Sequence, residues 1–161
     1  MSSSTPEHRV FISHSSNDKA IADRVCAELE SRGIPCWMAP RDIPAGTSWA
    51  GAIIDGINAC STMVLLFSRH SNSSDQVIRE VDRAAERGMR LITLRTDATS
   101  PTREMEYFLC TVQWLDMSGG QARQAIEELL AALDRPVERP AGGKQRGAPP
   151  DRRRHLKWLL I

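Results

Sequence analysis

Glu80 is the side chain whose placement best suits chemistry. It lies in QVIREVDRAAERG, where Val77, Ile78, Val81, Ala84 and Ala85 form one stripe of a helix. At about 100° per residue Glu80 falls on the shoulder of that stripe, roughly 100° from its centre. A carboxylate there is half sheltered, and can face positive charge that builds on a bound molecule while accepting hydrogen bonds from its hydroxyls. The same spacing permits a plainer role, a surface pair with Arg83 three residues on, worth roughly a few tenths of a kcal/mol. Ser15 and Ser16 are the second candidates. Both are small and precede a helix, so their backbone N–H groups can approach an anion at the positive end of the helix dipole, although simple capping explains them equally well. The chain has neither GxGxxG nor GxxxxGK[ST], which removes the fingerprints of dinucleotide-binding oxidoreductases and P-loop NTPases.

Other chemistry-bearing residues are less well arranged. Cys26, Cys36, Cys60 and Cys110 include no CxxC pair and read as small core residues, not zinc ligands or a disulfide framework. His14 and His70 have no further ligand at helpful spacing, so no metal is expected. Trp37, Trp49 and Trp114 have no interleaved basic stripe and read as core or pocket-wall aromatics, which argues against nucleic acid as a partner.

Positioning these residues requires a frame, and the 161-residue chain supplies one core's worth of ordinary globular composition, 41% apolar and 25% charged. Arg9–Ser13 (RVFIS) reads as a strand, and the polar cluster to Asp18 caps a helix in which Ile21, Val25 and Leu29 recur before Gly33 ends it. A second strand is expected over Ile34–Met38, then a loop, Ala39–Gly46 (APRDIPAG), whose two prolines and glycine forbid a regular element. Trp49, Ile53 and Ile57 share a helical face. Thr62–Ser68 and Arg90–Arg95 are apolar runs without alternation, as strands covered on both faces require. Helices are expected over Asp75–Arg87 and Gln121–Leu133, a last strand over Val112–Asp116, and a loop with a weak helical piece over Thr96–Leu109. Such alternation predicts an α/β fold, a flavodoxin-like five-stranded parallel sheet with helices on both faces. Ligands in such sheets sit beyond the carboxyl ends of the strands, here His14–Asn17, Ala39–Ser48 and Arg69–Asp75.

RVFISHSSNDKAIADRVCAELESRGIPCW, APRDIPAGTSWAGAIIDGINACSTMVLLFS and SSDQVIREVDRAAERG resemble the three successive boxes of a bacterial TIR (Toll/interleukin-1 receptor) domain, with RDIPAG in the place of the BB loop. The resemblance implies a TIR domain over residues 8–134 and either of two activities. One is NAD+ glycohydrolase activity, cleavage of the nicotinamide–ribose bond with NAD+ as substrate and no cofactor, switched on by self-assembly in bacterial immune, antiphage or host-directed signalling. The other is a non-catalytic adaptor acting through TIR–TIR association. By similarity Glu80 is the catalytic glutamate, and Phe11, Ser15, Ser16, Arg41, Pro44 and Trp49 line the NAD+ pocket. The BB loop, Ala39–Gly46, is the implied surface for self-association or for other TIR domains. Gln76 stands where the family often has an aromatic residue, four before the glutamate. Nucleoside deoxyribosyl transfer on a related sheet fits less well, because the BB-loop signature is TIR-like.

Net charge is +1, yet residues 135–161 hold eight basic and two acidic residues against 13 and 18 in the rest of the chain. This basic Pro/Gly/Arg-rich tail is expected to be disordered. Its end, RRRHLKWLLI, suggests a linker to a missing domain or an approach to a membrane. Met1–Pro6 has no apolar signal-peptide core and no stretch nears the roughly 20 apolar residues that span a bilayer, so a cytoplasmic location is expected.

Overall fold

The computed structural model describes residues 10–135. The expectations for the basic tail, and for a membrane or second domain beyond it, fall past Arg135 and lie outside the described residues. Among the described residues no helix is long and apolar enough to cross a membrane.

The strands are β1 (Val10–Ser13), β2 (Cys36–Trp37), β3 (Thr62–Phe67), β4 (Arg90–Arg95) and β5 (Gln113–Asp116). They form one parallel sheet in the order β2-β1-β3-β4-β5. Parallel neighbours require crossovers, and the helices supply them. These are α1 (Lys19–Ser31), α2 (Trp49–Asn58), α3 (Arg69–Asn72), α4 (Asp75–Glu86), α5 (Arg103–Leu109) and α6 (Ala122–Asp134). Side chains alternate across each strand, so the sheet makes two cores. Val10, Ile12, Val64, Leu66, Ile92 and Leu94 pack with α1 and α6. Phe11, Met63, Leu65 and Phe67 pack on the opposite face with α2, α4 and α5. All six residues of β3 are buried, which is why that run shows no polar alternation.

β2 is shorter than the expected Ile34–Met38. Pro35 has no N–H for a ladder, although its carbonyl accepts from Val10 N at 3.1 Å, and Met38 N donates instead to the Asp42 carboxylate at 2.9 Å. The weak helical piece is a formed helix, α5, capped by the Thr102 hydroxyl, which accepts from Met105 N. α3, four residues long, is too short to show a period in the sequence; the Ser68 hydroxyl caps it by accepting from His70 N and Ser71 N. Cys26, Cys36 and Cys60 are buried as small core residues, whereas Cys110 is exposed.

β1 lies between β2 and β3, and the chain leaves it for α1 on one face while α2 and α4 lie on the other. That divergence opens a crevice at the carboxyl end of β1, the switch point of the sheet. Ser68 Oγ, at the exit of β3, donates to the buried Asp18 carboxylate at 2.5 Å and ties the turn before α1 to the rim of this crevice.

The α2 side of the crevice is set by a close approach. A Cβ at Gly56 would lie 2.5 Å from Trp37 Cε2, an indole that itself stacks on Phe11 with ring centroids 5.0 Å apart and planes at 9°. Gly56→Ala therefore forces α2 off the sheet despite the better helix propensity of alanine. It should lose about 1–3 kcal/mol in urea unfolding, where helix propensity alone predicts a gain of roughly 1 kcal/mol.

Candidate functional site

The carboxyl end of β1 carries a cavity of about 270 Å³. Its wall is built from five segments: Phe11, Ile12, His14, Ser15 and Ser16 from β1 and the following turn, Lys19 from α1, Ala39 and Pro40 from the loop after β2, Trp49 of α2, and Ser74, Gln76 and Glu80 at α4. The small serines leave the space, and the helix starts line it. Ser15 lines the cavity and also caps, its hydroxyl accepting from Asn17 N at 3.3 Å. Phe11 is floor, almost wholly buried against Trp37, while Trp49 is rim, half exposed at 50%.

Glu80 is far more enclosed than its place on the shoulder of the helical stripe suggests, at 5% exposure. The reason is that β1 lies over that shoulder. Ser13, fully buried at the end of β1, donates its hydroxyl to Glu80 Oε2 at 2.6 Å, and Gln76 Nε2 donates to Oε1 at 3.1 Å. The surface pair with Arg83 does not form; Arg83 pairs with Glu86 at 3.7 Å. Burial pushes the Glu80 carboxyl above the ordinary glutamate range, and the hydrogen bonds from Ser13 and Gln76 pull it partly back. His14, also on the wall, is held below the usual histidine range mainly by burial, partly offset by a hydrogen bond to Ile12 and by Asp18. The cavity wall thus carries a buried acid with a raised proton affinity and a histidine biased to neutrality, perturbations of the kind found at functional sites.

Phe11, Ser15, Ser16, Trp49 and Glu80 are brought together around this cavity; Arg41 and Pro44 are not. Arg41 turns away to α1. Its guanidinium donates to both Glu30 oxygens, at 2.6 and 3.3 Å, to Asp42 Oδ2 at 2.8 Å and to the Cys36 carbonyl at 2.8 Å. Contacts with two carboxylates and a carbonyl satisfy the guanidinium fork and hold the Glu30 carboxyl below its usual range, so Arg41 braces the loop instead of facing the cavity. Pro44 lies further along the loop, where its carbonyl accepts from Thr47 N and Thr47 Oγ1 and closes a turn. The loop residues that do reach the wall are Ala39 and Pro40. Ser13 was overlooked as a candidate because one serine ending an apolar strand looks like a strand terminus. Gln76 counts in sequence only as a missing aromatic, while its hydrogen bond to Glu80 needs coordinates.

The family model for the TIR domain matches residues 10–130. The chain belongs to the TIR domain family. Solved structures agree on the fold. The TIR domain of the Toll-related receptor TRR-2 from Hydra magnipapillata is 18% identical, with 78% of this chain and 98% of that chain covered at a TM-score of 0.67. The TIR domains of the activated Roq1 resistosome, which recognises the pathogen effector XopQ, are 13% identical over 79% and 99% of the two chains at 0.64. The CMP N-glycosidase BcmB of Clostridium botulinum is 15% identical over 75% and 97% at 0.55. No match is found among curated protein sequences.

In this TIR domain Glu80 binds its proton more tightly folded than unfolded. Its contribution therefore favours the fold at acid pH, and is lost as pH rises from the ordinary glutamate value of 4.5 through the folded one. Glu80→Gln removes the buried charge while keeping the shape. The variant should melt higher than wild type at pH 8, by about 1 kcal/mol of stability, with the gap closing towards pH 4 in a series of thermal scans.

Proposed function

We propose that this TIR domain is an NAD+ glycohydrolase, releasing nicotinamide from the ribose with Glu80 as the catalytic group. The observation that carries the reading is a buried ionisable carboxylate on the wall of a cavity at the sheet's switch point, oriented by hydrogen bonds to both of its oxygens. In the bond-breaking step the C1′–N bond cleaves with its electron pair moving to the pyridinium nitrogen. Nicotinamide therefore departs neutral and needs no strong acid on the leaving group. Positive charge develops on the ribose ring, and an ionised Glu80 oxygen beside it stabilises that charge from a carboxylate that is itself only 5% exposed. Water then adds to C1′ and loses a proton, giving ADP-ribose. Glu80 also accepts hydrogen bonds from ribose hydroxyls, which fixes the ring against the carboxylate.

Three features support activation by assembly. The cavity, at about 270 Å³, lies just below the roughly 300–1,000 Å³ usual for small-molecule sites, so a neighbour that extends the wall improves it. Trp49, at 50% exposure, leaves a large aromatic side chain of α2 uncovered at the rim. Ala39 and Pro40 place the start of the BB loop on the wall, so repacking of that loop against a second copy reshapes the pocket. The same uncovered Trp49, together with Gln76 in place of an aromatic, favours a second reading, a TIR scaffold without chemistry. The fold shared with BcmB makes CMP the comparison substrate.

The test is chromatography of nicotinamide from NAD+, and of cytosine from CMP, with the purified protein clustered through a fused oligomeriser. Clustered wild type should release nicotinamide in preference to cytosine. Glu80→Ala and Glu80→Gln should both fall by about 100-fold or more while unfolding cooperatively. No release from clustered wild type establishes the scaffold reading; cytosine alone moves the substrate to pyrimidine nucleotides; equal release by wild type and variants removes Glu80 from the chemistry.

A further inference from the structure

Ser13 and Gln76 hold the same carboxylate from different foundations. Ser13 belongs to β1, which is flanked by β2 and β3, and has no exposed surface. Its hydroxyl has the shorter contact with Glu80, 2.6 Å. Gln76 belongs to the first turn of α4, one turn before Glu80, is exposed, lines the cavity and makes the longer contact, 3.1 Å. A serine hydroxyl locked in the sheet cannot follow a substrate, whereas an amide on an exposed side chain can swing about its torsions at small cost. A ribose hydroxyl approaching Glu80 from the cavity meets Oε1 where the Gln76 amide now donates. One carboxylate oxygen has a fixed partner and the other an exchangeable one.

Resting on the glycohydrolase reading, we propose that Ser13 is a permanent positioning residue for Glu80 and that Gln76 is a placeholder, donating to Oε1 in the free protein and giving that position up to a ribose hydroxyl of the substrate. The exchange makes and breaks hydrogen bonds only: the Gln76 N–H leaves Oε1 and the ribose O–H takes its place. Gln76 thus does more than lack an aromatic ring. It keeps a buried carboxylate solvated by protein while the cavity is empty, which favours its charged form before substrate arrives.

The two roles separate by pH. The acid limb of kcat/KM reports Glu80 in the free enzyme, and that of kcat reports it in the complex. Other groups on the packed elements titrate or carry charge: His14 after β1, Lys19 on α1, Asp55 on α2, Arg69 and His70 on α3, Arg90 and Arg95 on β4, and Arg103, Glu104 and Glu106 on α5. The influences on the Glu80 proton are burial, Ser13 and Gln76. His14 shares the cavity wall, so each variant is also measured on a His14→Asn background, where the displacements should persist.

The experiment is the pH dependence of nicotinamide release from NAD+ by the clustered full chain, for wild type, Ser13→Ala, Ser13→Thr and Gln76→Met. Ser13→Ala should move the acid limbs of both kcat/KM and kcat to higher pH and lower kcat/KM about tenfold on the acid side, the loss of one hydrogen bond to a charged group. Ser13→Thr, which restores a hydroxyl, should return both limbs towards wild type. Gln76→Met should move the limb of kcat/KM alone. Carbon-13 NMR titration of the Glu80 carboxyl in the free protein should show the same upward displacement for Ser13→Ala and Gln76→Met. In an active enzyme, Gln76→Met limbs that move together or not at all overturn the placeholder, and unmoved limbs in Ser13→Ala overturn the fixed anchor, while Glu80 keeps its catalytic role. A wild type that releases no nicotinamide, or a Glu80→Ala variant that still does, overturns the glycohydrolase reading and this proposal with it.

Discussion

The hydrogen bond from Ser13 to Glu80 joins an inner strand of the sheet to α4, across the cavity wall. A carboxylate at 5% exposure is a cost to any fold, and one left without partners would simply take up a proton. The hydroxyl from β1 and the amide from α4 limit that cost without abolishing it, so Glu80 stays above the ordinary glutamate range while its two hydrogen bonds oppose the effect of burial. The surrounding architecture follows from holding these groups in register. β1 must lie in register with β3, where Ser13 stands opposite Leu65, to fix Ser13, α4 must pack through Val77, Val81 and Ala84 to fix Glu80, and α2 must approach Trp37 closely enough for Gly56 to be required.

The crevice is stable for reasons separate from the carboxylate. The Asp18–Ser68 contact ties the turn before α1 to the exit of β3, and the Ser68 hydroxyl also caps α3. The loop after β2 is held at its base by Arg41, which joins it to Glu30 on α1. Salt bridges of this kind, with the guanidinium 40% exposed, are individually weak. Under the proposed activation by assembly, that weakness lets the loop repack against a neighbour.

Much of this was legible in the residues, and the exceptions share a cause. The helical period of Val77, Val81 and Ala84 located α4, the unbroken apolar runs located β3 and β4, and the order of elements located the crevice. Periodicity sees one element at a time. It places Glu80 at the edge of its own helix and cannot include β1 lying over it, so neither the burial of Glu80 nor its bond to Ser13 has a periodic signal. The resemblance carried Arg41 and Pro44 into the pocket as members of a motif. In the structure the acidic neighbours of Arg41, Glu30 eleven residues before it and Asp42 beside it, draw its guanidinium to the opposite side of the loop. Tertiary contacts of this type leave no local signature, whereas patterning and turn chemistry do.

The most direct measurement is a carbon-13 NMR titration of the Glu80 carboxyl in the clustered protein, with and without a non-cleavable carbon-linked analogue of NAD+ that retains the cationic pyridinium ring. A positive ring beside the carboxylate favours its charged form, so the predicted result is a titration of Glu80 displaced to lower pH on binding. An analogue that binds while leaving the Glu80 titration where it was contradicts the placement of the reacting bond at this residue.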